Sequence, residues 1–174
     1  MPSKNSFGIY HGANKQKLYP SVLGGTHFNK TGLAMLTFGM VSQNRIPFLL
    51  ASTSNQKIKN SDFEFRFDLL FDQNNLPIFD RGFRDAESPK EFILLHLKPN
   101  VKKNRRYLFK EKNGWRQYVV ATNKIPFQFE EIDSGVFKVT PLSNLEKGEY
   151  CFVHQDVLNN PSFRDFVFFD FTIE

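Results

Sequence analysis

Cys151 is the one cysteine in the 174 residues. It stands between Tyr150 and Phe152 in an apolar run. A nucleophilic thiol needs an exposed, electropositive setting, so the sequence predicts an inert buried thiol, and no internal disulfide can form. A cysteine-poor chain fits a reducing compartment without excluding the periplasm. His11, His27, His96 and His154 stand apart from one another, without the spacing of metal ligands. His11, beside Gly12, reads as a turn or surface residue.

The acidic groups are equally bland. Glu64 and Asp68 lie on one side of an alternating segment with Arg66 between them, so a solvated strand face explains them as well as an acid/base pair does. Asp80, Asp85 and Glu87 alternate with Arg81 and Arg84 in an oxygen-rich loop that lacks the spaced carboxylate frame of a calcium loop. Gly24-Gly25 has neither the lysine nor the following helix of a phosphate-binding loop. No catalytic constellation, metal site or cofactor is expected, and the chain reads as a non-enzyme.

Charge is the distinctive feature. Lys98, Lys102, Lys103, Arg105, Arg106, Lys110, Lys112 and Arg116 face only Glu111 within residues 98–116, a local charge of +7. The whole chain carries +5, so the remainder sums to −2. Residues 62–91 hold eight carboxylates against four cations, net −4. These eight cations are the candidate binding residues. Tyr107, Phe109, Trp115 and Tyr118 lie among them, a mixture that could meet phosphates and bases, an anionic membrane surface or an acidic protein patch. Alternation places Tyr107 and Phe109 on one face and Arg106 and Lys110 on the other, which disfavours a single stacking-plus-phosphate surface. A hairpin merely solvated by its cations is the first reading; a protein partner comes next, and nucleic acid or a membrane or other polyanion after it.

The elements that must position these residues are strands. The 21 phenylalanines can fill a core without long aliphatic helices. In Asp62–Asp72, Phe63, Phe65 and Phe67 fall on one face and Asp62, Glu64, Arg66 and Asp68 on the other. Phe7–Tyr10, Leu33–Val41, Ile46–Ala51 and Phe92–Leu97 are further apolar strands; the continuous character of the second and third suggests burial on both faces. Arg105–Lys112 is predicted to pair with Trp115–Ala121 across Asn113-Gly114, the favoured type I′ pair. Phe127–Ile132 and Val136–Thr140 form a hairpin around Asp133-Ser134-Gly135. In Phe166–Ile173 the core face is expected to be Val167, Phe169, Phe171 and Ile173. Between Lys138 and Val153 the pattern reads as a strand end, a turn at Pro141, a short crossing with Leu142 and Leu145, a turn at Gly148 and a new strand from Tyr150. Such a corner carries the chain from one sheet to another.

Taken in order, FGIY, DFEFRFD, SPKEFILLHLK, the paired basics at 102–106, IPFQFEEIDSGVFKVTPLSNLEKGEYCFV and the closing FDF resemble a family of uncharacterised bacterial β-sandwich proteins with a Leu-x-x-Gly-Glu-Tyr corner, here Leu145 to Tyr150. The resemblance implies a sandwich fold, lends no catalytic residues and points to the cell envelope. Within the corner, Glu149 is expected to be held by local backbone donors or by a nearby arginine or lysine, with the Tyr150 ring packed inward.

The expectation is thus one domain over residues 1–174: an all-β antiparallel sandwich of about ten short strands with little or no helix. No stretch approaches the ~20 apolar residues of a membrane helix. The opening MPSKNSFGIYHG has no apolar signal core, so the compartment is periplasmic if a signal has been removed and cytoplasmic otherwise. The expected function is a non-catalytic interaction or adaptor module that docks on a larger protein assembly, in the envelope or its secretion machinery.

Overall fold

Phenylalanine at every second position needs two apolar surfaces facing each other, and the fold supplies them. The computed structural model describes residues 8–21, 23–29, 44–59, 64–69, 86–108, 123–158 and 166–174. These form thirteen strands: β1 (Gly8–His11), β2 (Gln16–Leu18), β3 (Gly25–Asn29), β4 (Asn44–Leu50), β5 (Lys57–Ile58), β6 (Phe65–Asp68), β7 (Phe92–Asn100), β8 (Arg105–Tyr107), β9 (Lys124–Ile125), β10 (Phe127–Asp133), β11 (Val136–Pro141), β12 (Gly148–His154) and β13 (Phe169–Ile173). Helix among the described residues is confined to three 3-10 turns, Pro89–Glu91, Val101–Lys103 and Gln155–Leu158. None of it is long and apolar enough to cross a membrane.

The strands make two sheets and no barrel, the sandwich-like all-β class that the pattern predicts. The smaller sheet runs β10-β11-β6-β1-β2; the larger runs β3-β4-β8-β7-β12-β13-β5, with β9 on β7. All neighbours are antiparallel except β13 and β5. The Pro141–Gly148 corner joins β11 of the small sheet to β12 of the large one, so it makes the predicted crossing, with Leu145 buried and Leu142 exposed. The β10–β11 hairpin also forms as expected, turning at Gly135 with φ 65°.

The inter-sheet core is aromatic. Phe65 and Phe67 of β6 meet Phe152 of β12 edge-on, at 4.9 and 5.1 Å between ring centroids. Phe171 and Phe127 close around the same ring, each at 5.9 Å. Edge-to-face pairs of this kind add to the gain from burial itself. Tyr150 is stacked between His96 and Phe171 with its ring inward, and its hydroxyl donates to the Glu146 carbonyl at 2.8 Å. The close His96 explains Gly148: a Cβ there would lie 2.8 Å from His96 Nε2.

The large sheet is covered on its other face as well. Ile93, Leu95, Leu97, Leu49, Leu108, Cys151, Val153, Val157, Phe166 and Phe168 form a second core. This corrects the reading of the last strand, because Phe168, Asp170 and Thr172, expected on the less buried side, are buried beside Phe169, Phe171 and Ile173. Two smaller corrections concern the small sheet. His11 is buried, in register with Phe65, and is no surface residue. Asp68 is also buried, 3.8 Å from Arg66, where a solvated face is expected. The predicted strand Leu33–Val41, the Asn113-Gly114 hairpin, most of Asp62–Asp72 outside β6 and most of the loop 73–89 lie outside the described residues.

Truncating the ring at the centre of the aromatic cluster tests this architecture. Phe152→Ala is expected to lower unfolding free energy by about 3–5 kcal/mol, read from urea titration; a loss under ~1 kcal/mol would mean the two sheets do not close on that ring.

Candidate functional site

The run after β7 forms a compact basic end of the large sheet. β8 folds back on β7, pairing Lys98 with Tyr107 and Asn100 with Arg105, and pairs on its other side with β4, Leu50 opposite Arg105. This short hairpin replaces the predicted partner of Arg105–Tyr107, whose proposed return strand lies outside the described residues. The turn Val101–Lys103 is set by two asparagines. The Asn100 side chain accepts from the Lys103 N–H at 3.0 Å, a helix-type cap. Asn104 takes the left-handed conformation, φ 48°, which asparagine tolerates better than most residues, and its side chain accepts from the Ser52 N–H at 2.9 Å. The turn is thereby tied to the end of β4.

Lys98, Lys102 and Lys103 project into solvent from this end. Arg105 is half-buried and lies over the Phe48 ring at 4.1 Å, a cation–π contact. Residues 98–105 contain no carboxylate. Two aliphatic side chains sit among the cations: Val101 is 78% exposed and Leu50 64% exposed. Nothing in the spacing of charges signals this apolar component; it becomes visible once β4 is placed beside β8. Lys110, Lys112 and Arg116 lie outside the described residues.

Arg106 does not belong to that surface. Grouping it with the solvent-facing cations is corrected by its position: it is 3% exposed, on the second-core face of β8 beside Leu49 and Leu97. All three guanidinium nitrogens are engaged. Nε donates to the Ala51 carbonyl and Nη2 to the Leu50 carbonyl, both at 3.1 Å. Nη1 donates to Glu149 Oε2 at 3.2 Å and to Asp170 Oδ2 at 2.5 Å. Glu149 also accepts from the Ser54 N–H and the Thr172 hydroxyl, each at 2.8 Å. Of the two expectations for Glu149, the nearby cation is found in Arg106, while the backbone donor is the distant Ser54 N–H and not a local one. The donors to it come from β8, β13 and the loop after β4, none of them its sequence neighbours.

This buried cluster is built for holding strands together. Two carboxylates share one cation, so hydroxyl and backbone donors must supply the remaining compensation. Asp170 Oδ1 is left without a hydrogen-bond partner. Its charge is felt by the neighbouring Cys151: burial first, and the Asp170 carboxylate second, push the thiol well above the ordinary range. Cys151 is therefore a buried thiol, as its sequence context predicts, whose surroundings disfavour the thiolate.

The other chemical candidates stay apart. Glu64 is exposed and bonded to Lys138 at 2.8 Å, while Asp68 is buried. His154 packs between Phe92 and Phe166, 3.6 Å from Glu91. Among the described residues no three His, Cys, Asp or Glu groups gather closely enough to hold a metal ion. The candidate calcium loop at residues 80–87 lies almost wholly outside the described residues. Comparison with protein-family models, curated proteins and solved structures finds no match, so the basic end is interpreted on its own geometry.

Two measurements separate the buried cation from its exposed neighbours. Arg106→Met is expected to destabilise by about 3–5 kcal/mol because it strands two buried carboxylates, whereas Lys103→Met stays within about 0.5 kcal/mol; equal effects in urea unfolding would contradict the assignment. Cys151 and Tyr150, both raised by burial, bind their protons more tightly folded than unfolded. Their contribution is complete below the unfolded thiol range, about 8.5, and falls as pH rises through and beyond it. A native-state thiol reagent is accordingly expected to label Cys151 only as fast as the chain opens.

Proposed function

We propose that this chain is a non-catalytic interaction module that docks on a larger protein assembly through the basic end of its large sheet. The observation that carries this reading is the exposure of Val101 and Leu50 amid Lys98, Lys102, Lys103 and Arg105. Apolar side chains held in solvent by a fixed turn gain free energy when a partner covers them. The surrounding cations supply orientation and association rate against an acidic face. Isolated exposed aliphatics are ordinary on protein surfaces; here two flank the cations of residues 98–105, a segment without a carboxylate.

Among the described residues the aromatic rings favour protein over nucleic acid. Phe48 is buried beneath Arg105 and contacts Tyr107 edge-on at 6.2 Å. Neither ring offers a free face pair on which successive bases could stack, as single-strand binding requires. Among the described residues a polyanion would then be held by Lys98, Lys102, Lys103 and Arg105, with the steep salt dependence of counterion release. Placement of the assembly in the bacterial cell envelope or its secretion machinery rests on the sequence resemblance alone.

The test is partner recovery by chemical cross-linking from native extract, with Val101→Asp and the pair Lys102→Glu, Lys103→Glu as variants. The wild-type chain is expected to recover a protein with an acidic surface. Val101→Asp should reduce recovery by about tenfold or more, the scale of a buried aliphatic contact. Charge reversal should slow association, and added salt should have the same effect on the wild type. Recovery unchanged in both variants would refute docking at this end, and retention of the chain by nucleic acid at low salt would transfer the surface to the alternative reading.

A further inference from the structure

Among the described residues the small sheet ends in β10, with no strand bonded beyond it. This edge is long for the fold, seven residues, and Gln128–Asp133 are all exposed. It carries Glu130, Glu131 and Asp133 with no cation. Two apolar side chains stand among them, Phe129 at 40% and Ile132 at 52% exposure. Phe129 is steadied by Phe137 on the paired strand, 6.1 Å away and edge-on. The cation opposite Glu130 in the ladder, Lys138, is bonded to Glu64 at 2.8 Å. Glu131 and Asp133 fix the following turn, accepting from Gly135 N–H at 3.0 Å and Ser134 N–H at 2.8 Å. The edge is therefore held extended, with one irregularity between Glu131 and Asp133, before anything binds.

An open edge is a template for a further strand, and proteins block unwanted pairing with charges and bulges. β10 has both: three carboxylates and a register shift between Glu131 and Asp133. These devices discriminate. A second copy paired antiparallel on β10 in the register of fullest overlap would set Glu130 opposite Glu130, and like charges directly opposite are destabilising. A strand bearing lysine or arginine meets the opposite situation. We propose that β10 is a strand-addition site for an extended basic segment of a partner protein, a cation facing Glu130 on one face of the added strand and an apolar side chain covering Phe129 on the other. This contact stands on β10 alone and does not depend on docking at the basic end.

Hydrogen exchange with mass spectrometric readout tests it, using the full chain with a short synthetic peptide alternating lysine and valine, and a glutamate–valine peptide as its counterpart. The lysine peptide is expected to slow exchange within residues 127–133, and the glutamate peptide to leave it unchanged. Glu130→Gln should weaken the lysine peptide by about twofold and Glu130→Lys by about fivefold, the scale of one cross-strand charge pair. Both substitutions lie on an exposed edge, and exchange in the untouched strands β12 and β13 reports that the fold is intact. Protection confined to residues 98–103, equal binding of both peptides, or a self-associated form of the chain that protects β10 without peptide would each overturn the proposal.

Discussion

The guanidinium of Arg106 joins parts of this molecule that lie far apart along the chain. Its contacts reach the carbonyls at the end of β4, Glu149 on β12 and Asp170 on β13. Ser54 and Thr172 complete the same network and bring in the loop that leads to β5. Four strands of the large sheet and one connection are thereby positioned around one planar cation. The end of β4 shows the effect on the backbone: Ala51 adopts φ 64°, and its carbonyl is held by Arg106 Nε. A left-handed alanine is unfavourable in isolation, and the bond provides a local reason for the chain to accept it. The register of the sheet then follows, since a one-residue slip of β12 would turn Glu149 into the aromatic core.

The aromatic core and the ion network occupy opposite faces of the same strands. Tyr150 and Phe152 face the small sheet, while Glu149 and Cys151 between and beside them face the second core. The division keeps charge out of the sandwich interior, where phenylalanine rings pack edge to face. It also leaves the basic turn and the acidic strand β10 in different sheets, one on the large and one on the small. The two outward-facing surfaces thus differ in sign and in geometry: a compact turn with aliphatics among lysines, and an extended edge with apolar residues among carboxylates.

Much of this was legible from residue order. Alternation of Phe65 and Phe67 marked the inner face of β6, and the Asp133-Ser134-Gly135 turn marked the β10–β11 hairpin. The corner from Pro141 to Gly148 announced a change of sheet. The second core was not legible, because Asp170 and Thr172 look like residues of a wet face when their partners are unseen. Those partners lie far along the chain: Arg106 is 43 positions from Glu149 and 64 from Asp170. For the same reason Arg106 looked like one more member of a basic cluster. Periodicity reports which side chains share a face and says nothing of whether that face is covered. The exposed Leu50 escaped notice likewise, since it belongs to a buried apolar run and only its place at the sheet's end uncovers it.

The order of strands in the large sheet bears on how the chain emerges from the ribosome. β4 and β5 are made early, yet the carboxylates that organise the end of β4 arrive with β12 and β13, and β5 finds its parallel neighbour only in β13. Closing loops of that length delays pairing, so the first half of the chain leaves the exit tunnel with apolar strands that cannot yet be satisfied. Nascent protein of this design has a long interval of exposure, and a chaperone that shields early strands until the last one is released would match the interval its topology imposes.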